Sequence, residues 1–129
     1  MDIQPRKDKK INFQGAGVKV KEILTAFISQ KLKDDFELLS KGKFEDRKLY
    51  SFIERALRDL KETPTAGAKI PKNLWPREYV QKYSITNLWK YDLPNAWRLI
   101  YTIDTEEIRI LSIILEWFDH KEYEKRFNY

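Results

Sequence analysis

An arginine stands in the middle of the apolar run Trp97-Arg98-Leu99-Ile100-Tyr101. In an alternating strand it lies on the face away from Leu99 and Tyr101, directed at solvent or a partner. A guanidinium in a concave groove binds a phosphate through two parallel hydrogen bonds and stabilises charge that develops during phosphoryl transfer. The other reading is a surface arginine paired with a neighbouring carboxylate. Lys90, on the preceding apolar segment, shares the polar parity of Arg98. His120 is the chain's one histidine, the side-chain type that ordinarily titrates near neutrality, and it follows a strand at the opening of a helix. It reads either as a general acid or base or as an exposed residue of a helix start. Tyr83, Tyr91, Tyr123, Trp75 and Trp89 have faces on which bases could stack, although most such rings belong to cores.

Other chemistries are excluded by composition. The chain has no cysteine and one histidine, so no Cys/His metal site is expected and no disulfide forms. Four scattered glycines make no phosphate loop, and no Gly-x-Ser-x-Gly elbow accompanies His120. Neither a metal nor any cofactor is expected.

The elements that must position these residues follow from periodicity. A first strand is expected within Glu22 to Ile28. Ser29 caps a helix running to about Ser40, with Leu32, Phe36 and Leu39 on one face and Gly42 ending it. Asp46 is expected to cap a second helix, whose Leu49, Phe52, Ile53, Ala56, Leu57 and Leu60 form the cleanest amphipathic stripe. Pro64 and Gly67 stop that helix, and the short link predicts an antiparallel helical hairpin. Ile70 to Tyr83 reads as an ordered loop with one helical turn near Arg77–Lys82. The period then changes to two. Strands are expected over 84–91, over Trp97 to Ile103 after the turn Asp92-Leu93-Pro94-Asn95, and over Ile108 to Phe118. Asp119 and Glu122 match a capping box that opens a terminal helix. The predicted fold class is α+β, a two-helix hairpin packed on an antiparallel sheet with a short C-terminal helix.

With 129 residues, 42% of them hydrophobic, the chain suits one domain over 18–129, preceded by a basic, flexible arm at 1–17. No stretch approaches the roughly 18 consecutive apolar residues of a membrane span. The amino terminus lacks a secretory pattern, so a soluble, cytoplasmic protein is expected. Net charge is +5 and unevenly placed. Residues 1–22 carry six basic and three acidic groups; residues 61–90 carry six and two, including Lys72, Arg77, Lys82 and Lys90. Such a patch either follows the phosphates of a nucleic acid or is a solvated lysine-rich surface.

The segments Leu88-Trp89-Lys90-Tyr91, Trp97-Arg98-Leu99-Ile100-Tyr101 and Ile113 to Phe118 leading into Asp119-His120-Lys121-Glu122-Tyr123 resemble the RelE/ParE superfamily of toxins from type II toxin–antitoxin systems. The resemblance spans roughly residues 22–127. It implies a metal-independent, ribosome-dependent endoribonuclease that cleaves mRNA and inhibits translation, with mRNA, the ribosome and a cognate antitoxin as partners. By the same resemblance Arg98 matches the arginine placed on the scissile phosphate, His120 the basic residue after the last strand, and Tyr123 lies near the family's terminal tyrosine. Arg98, His120 and Tyr123 are therefore the expected catalytic residues, with Lys90, Lys72, Arg77 and Lys82 binding RNA. Other branches inhibit DNA gyrase or are inactive, so a non-catalytic binder or a plain RNA-binding module is the alternative. The chain departs from the family pattern in its basic arm, in an inserted-looking Lys69–Tyr83 loop, and in Glu116 and Asp119 flanking the expected site.

Overall fold

In a computed structural model of the chain, residues 22–106 and 108–127 are described; the expected arm at 1–17 lies outside them. Strand β1 (Glu22–Phe27) leads into helices α1 (Gln30–Leu39) and α2 (Phe44–Glu62). A two-residue strand β2 (Ala68–Lys69) and helix α3 (Arg77–Tyr83) follow. Strands β3 (Trp89–Asp92), β4 (Arg98–Thr105) and β5 (Arg109–Phe118) then run into helix α4 (His120–Phe127). The five strands form one sheet in the order β1-β5-β4-β3-β2. The fold is α+β, with a mixed sheet and four helices.

The helical hairpin forms for the local reasons its sequence supplies. Ser29 is extended, and its hydroxyl accepts the Leu32 N–H at 3.1 Å, capping α1. The start of α2 differs from expectation: the helix begins at Phe44, and Asp46 caps from inside its first turn by accepting the Lys43 N–H at 3.3 Å. A side chain reaching backwards does the work of a residue placed in front. Gly42 makes room for it, since a Cβ there would stand 2.3 Å from the Asp46 carboxylate. The stripe of α2 buries Leu49, Ile53, Ala56 and Leu60.

The sheet is not wholly antiparallel, as the sequence had led us to expect. β2 to β5 pair antiparallel, but β1 runs parallel to β5, from Glu22 opposite Arg109 to Phe27 opposite Ile114. Tight turns dictate the sense of strands that follow one another. β1 and β5 are separated by the whole helical hairpin and the meander, so no turn sets their relative direction.

A second difference concerns the strand expected over 84–91, which begins only at Trp89. Ser84 instead adopts a left-handed conformation (φ 52°) that ends α3. Beyond β3 the pairing with β4 continues through a side chain: the Asn87 amide donates to the Ile103 carbonyl at 2.8 Å and accepts the Ile103 N–H at 2.8 Å. Thr102 adds a hydroxyl donated to the Asn87 carbonyl at 2.7 Å. Asn87 thus supplies the donor and acceptor that a neighbouring backbone would provide.

Helices cover both faces of the sheet. Phe36, Leu49, Ile53, Ala56 and Leu60 of the hairpin pack on Leu99, Tyr101 and Ile114. On the opposite face Tyr79 of α3 and Tyr123 and Phe127 of α4 pack on Ile100, Leu115 and Phe118. A bulge in β5 makes the second layer possible. Ile100 pairs with Glu116 while the next residue, Tyr101, pairs with Ile114, so Leu115 is the extra residue. The bulge shifts the alternation by one and brings Glu116 and Phe118 onto the α4 face. There Glu116 accepts both Nη1 contacts of Arg126, at 2.7 and 2.9 Å, tying the last turn of α4 to the strand. Among the described residues no helix is long and apolar enough to cross a membrane.

Candidate active site

The ends of three strands and the start of a helix meet at one corner of the sheet. Asp92 ends β3, Arg98 begins β4 and Phe118 ends β5, and register places them in one cross-strand row. His120 opens α4 two residues later, where Asp119 caps the helix by accepting the Glu122 N–H at 2.9 Å. Arg98 keeps the parity expected from sequence, opposite in face to Leu99 and Tyr101, but it does not look into open solvent. Its side chain is 16% exposed because α4 lies over this face. The helix on the second face was the element that residue alternation alone could not supply.

The corner joins most of the expected residues through short contacts. Arg98 Nη2 lies 3.3 Å from His120 Nδ1, and His120 Nε2 lies 3.1 Å from Glu124. The network assigns the imidazole tautomer: a guanidinium has only donors, so Nδ1 accepts, and an ionised carboxylate only accepts, so Nε2 carries the hydrogen. Lys90 Nζ lies 3.0 and 3.1 Å from the two oxygens of Asp92. Arg98 Nε lies 3.1 Å from the same carboxylate, a close ion pair whose hydrogen is not aligned on the oxygen, and Arg98 Nη1 donates to the Trp97 carbonyl at 3.2 Å. Beneath both cations is the ring of Tyr123, whose centroid is 5.5 Å from the Arg98 guanidinium carbon and 6.0 Å from Lys90 Nζ. The ring face attracts the two charges and holds them side by side.

Tyr123 itself is 2% exposed and stacked on Phe127 at 4.6 Å, so it reaches the corner as a platform. Lys72, Arg77 and Lys82 are exposed on the turn before α3 and on α3. Their helix packs against the last turn of α4, through Tyr79 on Phe127 and Glu78 near Arg126, whereas the Arg98 corner adjoins the first. Glu116 and Asp119, which sequence placed beside the site, are engaged elsewhere: Glu116 with Arg126, and Asp119 as the α4 cap.

Two carboxylates that do reach the corner, Asp92 and Glu124, were not singled out from sequence. The signals for them exist. Glu124 is four residues after His120, one helical turn along the same face, and Asp92 and Arg98 flank a tight reversal that sets them opposite each other. Among the described residues no cluster of three or more His, Asp or Glu side chains could hold a metal ion.

The strongest pKa perturbations lie away from this corner. Burial, followed by the Glu116 charge, pushes the Tyr79 phenol up. Tyr101 is pushed up to about 12, chiefly by burial, and its hydroxyl donates to the Pro64 carbonyl at 2.8 Å. Tyr91 also rises to about 12 through burial and its hydrogen bond to Asp59. For Arg126, burial alone would lower the pKa, but the hydrogen bonds and charge of Glu116 outweigh it and the net shift is upward. These groups bind helices to the sheet. The corner offers a guanidinium, an ammonium and an imidazole on a rigid base, which can take an anion and move one proton. No family model, curated protein or solved structure matches the chain.

Proposed function

We propose that the chain is a metal-independent endoribonuclease of the RelE/ParE toxin kind, acting in the cytoplasm on mRNA at the ribosome and neutralised by an antitoxin. The observation that carries the reading is the 3.3 Å contact between Arg98 and His120. Cleavage by an internal 2′-hydroxyl requires a base for that hydroxyl, stabilisation of the negative phosphorane, and a proton for the departing 5′-oxygen. In the proposed step the guanidinium stays on the Tyr123 ring, and the scissile phosphate takes the Arg98 Nη2–H contact that His120 Nδ1 holds in its absence. The exchange leaves Nδ1 open to take the 2′-hydroxyl proton while Glu124 holds Nε2–H. The new O–P bond closes a 2′,3′-cyclic phosphate, the P–O5′ bond breaks, and the imidazolium returns the proton to the leaving oxygen. Lys90 binds the phosphate and Tyr123 positions both cations. Lys72, Arg77 and Lys82 serve as a remote contact for the RNA backbone.

A second reading, a non-catalytic protein binder, is favoured by the match of the corner's cations with Asp92 and Glu124 and by exposed Leu38 and Phe44 near the tip of the helical hairpin, 63% and 62% exposed. Induced expression of wild type, Arg98→Ala and His120→Ala, with mapping of mRNA 5′ ends, separates the two. Growth arrest with new 5′ ends that vanish in both variants is expected. Arrest with intact messages would transfer the function to protein binding, and normal growth with soluble protein and intact messages would remove the toxin reading.

A further inference from the structure

We infer that the Asp92 carboxylate is an internal stand-in for a phosphodiester, holding the Lys90–Arg98 cation pair until a nucleic-acid phosphate displaces it. Three observations converge. The first is position: both Asp92 oxygens face Lys90 Nζ, and one faces Arg98 Nε, where a bridging anion would sit. Exposure is the second, since the carboxylate is 58% exposed while Lys90 and Arg98 are 24% and 16%. The cations are fixed on Tyr123 and the anion is the movable partner, held as weakly against water as surface ion pairs are. The third is incomplete satisfaction. Arg98 Nε is buried without an aligned acceptor, although the carboxylate is only 3.1 Å away. A tetrahedral phosphate presents acceptors in more directions than a planar carboxylate and can meet Lys90 and Nε together.

The assignment of the anion as a nucleic-acid phosphate rests on the endoribonuclease reading; the exchange itself concerns binding and not cleavage. A short 2′-O-methyl RNA, which lacks the attacking hydroxyl, therefore serves as probe, with affinity read by fluorescence anisotropy at low, fixed ionic strength. Asp92→Asn and Asp92→Ser are expected to bind about fivefold or more tightly than wild type, because each removes the competing anion. Asp104→Asn changes net charge by the same amount on β4, six residues from Arg98 and thus roughly 20 Å away, and is expected to stay within about twofold of wild type. Adding Lys90→Gln to Asp92→Asn should abolish the gain. Asp92 variants that bind no better than Asp104→Asn, a gain that survives loss of Lys90, or failure of every variant to bind the probe would each overturn the inference. Intact messages in cells, together with the expected binding series, would leave the exchange standing at a phosphate site that does not cut.

Discussion

At the scale of single residues, the proposed reaction separates groups of the corner that would touch the substrate from groups that hold them. Arg98 and His120 are assigned to the reacting phosphate and the moving proton, so replacing either by alanine is expected to lower the cleavage rate about 10²–10⁴-fold in a translating extract. Glu124 acts through the imidazole. Glu124→Gln keeps a hydrogen-bond acceptor for Nε2–H and should reduce cleavage by about tenfold at most, whereas Glu124→Ala removes that acceptor and should cost more. Cleavage by Glu124→Ala at the wild-type rate would remove Glu124 from this role. The Tyr123 ring, buried and stacked, is assigned to positioning. Tyr123→Phe preserves the face beneath both cations and is expected to keep cleavage within about threefold, whereas Tyr123→Leu loses the platform and about 0.5–2 kcal/mol of cation attraction. Equal loss in both variants would instead assign the hydroxyl a chemical part.

At the scale of elements, two polar devices hold the meander in register. Asn87 replaces a missing stretch of strand with its side-chain amide, and two bonds to Ile103 depend on that group. Asn87→Leu leaves the Ile103 N–H and carbonyl without their partners, and a loss of about 2–4 kcal/mol in urea unfolding is expected, with early hydrogen exchange at Ile103. The turn after α2 depends on close approach. Gly67 N–H donates to the Tyr101 hydroxyl at 3.1 Å, and a Cβ at this position would stand 2.3 Å from the Lys90 carbonyl and 2.7 Å from that hydroxyl. Gly67→Ala must displace backbone, and should destabilise by about 1–3 kcal/mol. Because the backbone concerned is that of Lys90, the same variant is expected to weaken RNA binding, and unaltered stability and binding would show that the turn yields freely.

For the whole molecule, buried phenols predict the response to alkali. Tyr101 is fully buried and its pKa is raised from 10 to about 12, mainly by burial. The folded state therefore holds this proton more tightly than the unfolded chain. Its contribution is complete below about pH 10 and falls as pH rises through 12, with a slope approaching about 1.4 kcal/mol per pH unit between the two values. Tyr91 acts in the same direction. Urea midpoints measured at neutral pH and near pH 11 should show this loss, and Tyr101→Phe should flatten it; equal slopes in the two proteins would place the alkaline sensitivity elsewhere.

Much of this molecule was legible before any tertiary contact was known. The Ser29 cap, the stripe from Leu49 to Leu60, the turn after Asp92 and the strand containing Arg98 are local patterns, set by side-chain period and by capping and turn chemistry within a few residues. Arg98 and His120, expected as catalytic residues together with Tyr123, and Lys90, expected to bind RNA, stood out as candidates for a similar reason, a charge within an apolar strand or an imidazole where a strand gives way to a helix. Other features depended on distant parts of the chain. The parallel sense of β1 against β5 has no turn to encode it, and the bulge at Leu115 is visible only once Ile100 and Tyr101 provide a register. That bulge turns Glu116 and Phe118 toward α4, and the covering helix converts Arg98 from an outward-facing charge into a half-enclosed one. The sequence by itself determined the helical hairpin, the strand carrying Arg98 and the terminal helix, and offered Arg98, His120 and Lys90 as candidates. Tertiary structure alone decided that they meet, because the contacts of Arg98 with His120 and with Asp92 require three strands and a helix to end at one corner.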